Sequence, residues 1–326
     1  MLPVLRSLLA VSAAAIGVAA APVAAQEYPT KTVTIIVSYP PGGDTDALAR
    51  VFAEKLAPRL GRPVIVENRT GASGTIGNAY VSKAAPDGHT LLFTPNTIST
   101  APLVLKPGTG TPYDVVDGFT PIILIGTQSL FAVATTASGV KNMKELVAAA
   151  KAGKIANYAS PGSGSPMHIL GELFNKSAGV KLAQVPYRGS GPAINDLVGG
   201  HVSFMYTTLG PVAQYIAAGK LVVLGVADPR RSPLQPDVPT FAEAGFKGAE
   251  VGAWQGFMGP KGMPDAIVKT LNGHLNEILK LADVQQRLNA LATIPRGGDP
   301  SEIGKRNAAD YARYGRVIKE FGIQAD

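Results

Sequence analysis

The chain has 326 residues, 46% of them apolar and only 16% charged, which suits one or two packed domains and excludes a disordered chain. Its net charge is +7, but the lysines and arginines are scattered, with no basic block or stripe, so no nucleic-acid face is expected. There is no cysteine, which excludes disulfides, thiol nucleophiles, Cys-ligated zinc and the cysteine-borne lipid anchor of bacterial lipoproteins.

Residues 1–25 read as a signal peptide. Arg6 supplies a positive n-region, "SLLAVSAAAIGVAAAPVAA" an Ala-rich apolar run, and Val23 and Ala25 suit the −3 and −1 positions of cleavage before Gln26. No other segment is long and apolar enough to span a bilayer. The expectation is an exported protein without a membrane anchor.

"TVTIIVSY" (32–39) is a buried-strand run, followed by a helix whose Leu48, Phe52, Leu56 and Leu60 recur at helical spacing and which Gly61 closes. "PVIVEN" (63–68) is a second strand, "GTIGNAYVSKAAP" a short helix stopped by Pro86, and "HTLLFTPN" (89–96) a third strand. A βαβαβ order implies parallel strands with right-handed crossovers.

From 119 to 135 the rhythm changes. Two apolar runs are joined by the polar Gly126–Ser129, read as the crossing into a second α/β domain. There the strand–helix alternation resumes as far as "LVVLGVAD", and a Pro-rich surface loop (228–240) follows. "VGAWQGFMGP" (251–260) looks like a return strand. Roughly the last 60 residues read as helices packed on the first domain, with Leu271, Leu275, Ile278 and Leu279 as one apolar stripe. The expected domains are 26–125 plus 251–326, and 126–250. Two crossings form a hinge, with a cleft between the domains.

Two loops share one grammar. Pro40-Pro41-Gly42-Gly43-Asp44-Thr45-Asp46 and Ser160-Pro161-Gly162-Ser163-Gly164-Ser165 each follow a strand and open a helix. Glycines admit a ligand to the backbone, and a helix start offers unpaired N–H groups to an anion. Two such starts facing across a cleft suit the ends of a dicarboxylate. A structural reading competes with this one. Asp44, Thr45 and Ser165 would then cap helices, and His168 would brace its loop. Asp46 and Asp196 would meet a ligand amine or serve as capping or solvated carboxylates, with capping the better role for Asp46.

Enzymatic motifs are missing. His89, His168, His201 and His274 show no metal spacing, no G-x-S-x-G elbow exists, and neither Gly-rich loop carries a Walker lysine. Ser163 or Ser165 as a hydrolase nucleophile lacks a recognisable base. No metal or organic cofactor is expected.

The segments "YPTKTVTIIVSYPPGGDTDALAR", "VIVENRTGASGTIG", "AAPDGHTLLF", "YDVVDGFTPI", "SPGSGSPMHILGELF", "VPYRGSGPAINDLVGG" and "PDVPTFAEAGF" together resemble the periplasmic solute-binding proteins of tripartite tricarboxylate transporters, the Bug family. The resemblance runs nearly the whole mature length. It implies an α/β fold of two domains, a type II-like Venus flytrap. It also implies capture of a small carboxylate by backbone amides, hydroxyls and waters, and delivery to membrane permease subunits. Carried over by position, and joined by the end of the third strand, the ligand-binding set is Tyr39, Pro40, Gly42, Gly43, Thr45, Asp46, Thr94, Asn96, Ser160, Gly162, Ser163, Gly164, Ser165, His168 and Asp196. Arg188 is expected only to rim the cleft. Pro40–Pro41 departs from the smaller residues of many members and alters the pocket's shape. The chain is expected to act as a monomer. A receptor that presents the same ligand to a sensor kinase is the alternative.

Overall fold

Residues 28–105 and 112–324 are described by the computed structural model of the chain; the segment expected to be a signal peptide lies outside them. The chain begins β1 (Val33–Val37), α1 (Asp44–Leu60), β2 (Val64–Asn68), α2 (Thr75–Ser82), β3 (Thr90–Pro95) and the one-turn α3 (Thr97–Thr100). It continues β4 (Phe119–Ser129), β5 (Phe131–Thr135), α4 (Met143–Lys151), β6 (Asn157–Ser160), α5 (Pro166–Ala178), β7 (Ala183–Pro186), α6 (Ser190–Gly199), β8 (Phe204–Thr207), α7 (Ala213–Ala217) and β9 (Leu221–Val226). It closes with β10 (Gly252–Pro260), α8 (Asp265–Leu279), α9 (Ala282–Ala290), β11 (Ile294–Pro295) and α10 (Ser301–Phe321).

Among the described residues the strands form two mixed sheets. One has six strands in the order β11-β4-β10-β3-β1-β2, the other five in the order β7-β6-β8-β5-β9. As the βαβαβ rhythm requires, β1 runs parallel to both β2 and β3. The return strand β10 lies antiparallel between β3 and β4.

Period-2 alternation explains how each sheet buries two faces. In β1, Val33, Ile35 and Val37 enter the core under α1 and α8, while Ile36 enters the core on the opposite face. In β3, Leu91 and Phe93 point to the first side and Leu92 to the second. The second sheet repeats this: Phe131 and Val133 of β5 pack with α6, and Ala132 and Ala134 with α4 and α5. The α8 stripe of Leu271, Leu275, Ile278 and Leu279 is buried against α1 and β4. Each such side chain contributes roughly 1.5–3 kcal/mol on burial.

Two features differ from the sequence expectation. Gly126–Ser129 is not a connector: β4 continues through it, paired with β10 as far as Ser129↔Gly252, and the chain leaves the first sheet at Leu130. These polar residues are strand residues because their groups are used there. Gln128 reaches into a hydrogen-bonded chain described below. Gly126 lets β11 approach, since a Cβ there would stand 2.9 Å from the Ile294 carbonyl. The second difference is α10. Its Ile303 packs in the first sheet's core, but Tyr314 and Ile318 pack in the second's, so the last helix bridges both lobes.

Candidate ligand-binding cleft

The first loop is built to stay open. Pro40 and Pro41 end the strand because they lack an N–H, and Gly42 takes φ +89°, a left-handed conformation that a side chain would strain. Asp46 ties this loop down. Its carboxylate accepts from the Gly42 N–H at 3.1 Å, from Arg50 through two nitrogens at 2.9–3.1 Å and from Asn68 at 2.9 Å. Burial pushes the Asp46 carboxyl up, but Arg50, Asn68 and the Gly42 amide outweigh it and hold the group below the ordinary carboxylate range.

In the second loop Gly162 and Gly164 take φ +143° and +73°. Ser165 caps α5: its hydroxyl accepts the His168 N–H at 3.2 Å. His168 is buried behind the loop, where Nδ1 accepts the Gly164 N–H at 3.2 Å. The proton is thereby assigned to Nε2, which lies 3.8 Å from Glu172. The lobes meet here. Ser73 donates its hydroxyl to the Ser163 carbonyl at 2.9 Å, and Thr100 donates to the Gly164 carbonyl.

A third turn of the same kind joins them. Arg188-Gly189-Ser190-Gly191-Pro192 leads from β7 into α6, with Gly189 at φ +110° and its N–H donated to the Pro161 carbonyl at 3.0 Å. Between the lobes lies a cleft with about 690 Å³ of open space. One wall is Tyr39, Pro40, Pro41, Gly43, Asp44, Thr45, Pro95, Asn96, Thr97, Gln128, Ala253 and Gln255. The other is Pro161, Ser165, Pro166, Met167, Arg188 to Pro192 and Thr208. Its six prolines make stiff walls with few backbone donors. Arg188 is exposed at this wall, and no ion pair engages it among the described residues.

Of the expected set, Tyr39, Pro40, Gly43, Thr45, Asn96 and Ser165 line this cleft. Gly162 and Ser163 line an adjoining, larger groove that shares Tyr39, Pro40 and Arg188. Gly42, Asp46, Ser160, Gly164 and His168 stand behind the wall as loop braces. Ser160, for example, accepts from Gln184 at 2.7 Å. Thr94 is buried in the first sheet, and Asp196 accepts from the Tyr187 hydroxyl at 2.7 Å, away from the cleft.

The reading of the sequence missed a floor of polar side chains. Gln255 Nε2 donates to Gln128 Oε1 at 2.9 Å, and Gln128 Nε2 donates to Asp44 Oδ2 at 3.2 Å. Thr208 donates to the same Asp44 oxygen at 3.2 Å, and the Thr45 N–H to Asp44 Oδ1 at 3.0 Å. Burial raises the Asp44 carboxyl above its ordinary range, and the bonds from Gln128, Thr45 and Thr208 offset this only in part. The missed α6 turn did carry a signal, because "RGSGP" has the strand–glycine–helix grammar of the other two loops.

The profile of the tripartite tricarboxylate transporter family receptor matches residues 48–323. The chain belongs to this family. Protein BugT of Bordetella pertussis is 37% identical to it over 309 residues, covering 94% of each chain. Among solved structures, periplasmic binding protein BugD is 34% identical with a TM-score of 0.84, covering 92% of this chain and all of that one. R. palustris Rpa4515 with adipate is 33% identical with a TM-score of 0.84, covering 91% of this chain and 99% of that one. As a member of the tripartite tricarboxylate receptor family, the chain is a solute-binding protein rather than an enzyme. Among the described residues no group of three His, Asp or Glu is placed to hold a metal ion, and no helix is long and apolar enough to cross a membrane.

Proposed function

We propose that this receptor works in the periplasm, captures a small carboxylate between its lobes and delivers it to the membrane permease of a tripartite tricarboxylate transporter. The observation that carries the reading is the cleft wall of the second lobe. There Ser190 and Gly191 at the start of α6, Met167 in the first turn of α5 and Arg188 line one space. Unpaired N–H groups at a helix start and a guanidinium are suited to a carboxylate. The relative Rpa4515, solved with adipate, supports the class of ligand.

A thermal-shift screen over aliphatic and aromatic mono-, di- and tricarboxylates tests the capture. A ligand at 100 times its dissociation constant adds about 2.7 kcal/mol of stability. A panel in which no carboxylate moves the melting temperature would sink the reading. Deleting the gene should abolish uptake of the carboxylate so found; unchanged uptake would refute delivery.

A further inference from the structure

The last helix reaches the cleft through two side chains. Asp310 of α10 accepts the indole N–H of Trp254 on Oδ2 at 2.7 Å, and the same oxygen stands 3.5 Å from Asn96 Nδ2. Trp254, the chain's one tryptophan, is buried in β10. Its carbonyl accepts the Asn96 backbone N–H at 3.0 Å, and the Gly252 carbonyl accepts Asn96 Nδ2 at 3.0 Å. Asn96 is only 1% exposed, yet it lines the cleft; Asp310 does not.

The helix holds Asp310 in place from both sides. One turn before it, Asn307 accepts the Ser99 hydroxyl at 2.8 Å and donates to the Val115 carbonyl at 2.6 Å. One turn after it, Arg313 donates to the Glu250 carbonyl at 2.8 Å. Burial pushes the Asp310 carboxyl up, and Trp254, Asn96, Arg306 and Arg313 offset this only in part. A buried acid is costly, and a neutral acceptor would satisfy the indole alone.

What the acid adds is polarity. A carboxylate accepts and cannot donate, and the same is true of the Gly252 carbonyl. Together they face the two N–H bonds of the Asn96 amide, so its nitrogen is turned to β10 and α10 and Oδ1 is the end left over. That oxygen is buried and has no partner among the described residues, which is unfavourable until a donor arrives. A neutral amide at 310 could donate to Oδ1 and let the Asn96 side chain turn over.

Resting on the carboxylate-receptor reading above, we infer that Asp310, outside the cleft, is a positioning residue for ligand binding: with Trp254 and Gly252 it holds the Asn96 side chain in the orientation that the cleft uses.

A double-mutant cycle tests this. The tightest binder of the carboxylate screen, drawn from succinate, malate, citrate, adipate and benzoate, is titrated calorimetrically into wild type, Asp310→Asn, Asn96→Ala and the double variant. Asp310→Asn should weaken binding about five-fold or more, and Asn96→Ala at least as much. The double variant should bind no worse than Asn96→Ala alone, because Asp310 acts through Asn96. Asp310→Glu keeps the charge and should recover most of the affinity. Without ligand, Trp254 emission should move to shorter wavelength in Asp310→Asn and stay near wild type in Asp310→Glu. The reason is that the excited indole withdraws charge from its pyrrole ring, and a carboxylate at Nε1 stabilises that state. Should Asp310→Asn fail to fold, which circular dichroism reports, the smaller neutral Asp310→Ser carries the same cycle. Wild-type affinity in the neutral variant, losses that add in full in the double variant, or an unmoved emission would each overturn the inference and leave the carboxylate receptor intact. A wild type that binds none of these acids would overturn both.

Discussion

Thr208, just beyond β8 on the second lobe, donates its hydroxyl to the Asp44 carboxylate at the start of α1 on the first, 3.2 Å away across the cleft. This bond closes only when the lobes are together. With the Ser73–Ser163 and Thr100–Gly164 bonds it forms a set of cross-lobe contacts. Thr208→Val keeps the shape and removes the donor. It should cost the closed form about 1 kcal/mol, or roughly five-fold in ligand affinity, and increase the unliganded radius of gyration in small-angle scattering. Ligand should shrink the radius in wild type and variant alike. A variant with wild-type radius and affinity would show that the contact holds nothing closed.

Asp44 and Asp46 are two residues apart and should behave oppositely with pH. Burial raises the Asp44 carboxyl, so the folded state prefers it neutral. Its contribution to stability is present below the ordinary carboxylate range, declines as pH rises, and is gone once pH has passed the folded-state value. Tyr39 and Arg188 are the other ionisable groups lining this cleft. Asp44→Asn should therefore gain stability relative to wild type as pH increases from about 4, by urea unfolding of the unliganded protein. A difference that is flat with pH would contradict this.

Asp46 is held below the ordinary range, so its contribution is present above that range and lost as pH falls through the lowered value. Asp46→Ala removes acceptors for Gly42, Arg50 and Asn68. The Arg50 side chain is 52% exposed, which discounts the ion pair, and the expected cost is about 2–3 kcal/mol at neutral pH. Urea curves at pH 7 and pH 3 should converge for wild type and variant at the lower pH.

The second loop should be sensitive to shape more than to its hydroxyl. A Cβ at Gly164 would lie 2.8 and 2.9 Å from the Val104 methyls, and φ is +73°. Gly164→Val should cost about 2 kcal/mol or more. Ser165→Ala removes the cap of α5, at about 1 kcal/mol. Ser165 also lines the cleft, so its hydroxyl becomes a ligand contact only if affinity falls by more than that loss of stability explains. Melting curves and titrations on both variants separate the two roles.

Arg188 stands exposed at the cleft wall. Arg188→Ala should weaken carboxylate binding several-fold, chiefly through a slower association that is most evident at low salt. Complete loss of binding at every ionic strength would make it the principal anchor instead.

The layers were legible because strand residues such as Ile35 and Ile36 alternate faces and α8 repeats leucines at helical spacing. The two Gly-rich loops were legible because prolines and glycines between a strand and a helix allow few other structures. Gly126–Ser129 misled because polar strand residues look like a linker when their partners are remote: Gln128 is 127 residues from the Gln255 it bonds. The polar floor of the cleft was invisible for the same reason. Asp44, Gln128, Thr208 and Gln255 lie on separate elements, and no local pattern links them. His168 and Asp46 entered the expected set because they flank the loops, and only the structure shows that their polar atoms are used up in bracing them.

The bridging helix α10 changes the count of passages between the lobes. Among the described residues the chain crosses at Leu130, again on the way from β9 to β10, and a third time along α10, beyond which Ile323 packs in the second lobe's core. An odd number of passages leaves the two ends of the described chain on different bodies: Val33 rides with the first lobe and Ile323 with the second. A fluorophore near each end thus forms a natural gauge whose reading tracks the gape of the jaws, without touching a residue of the cleft.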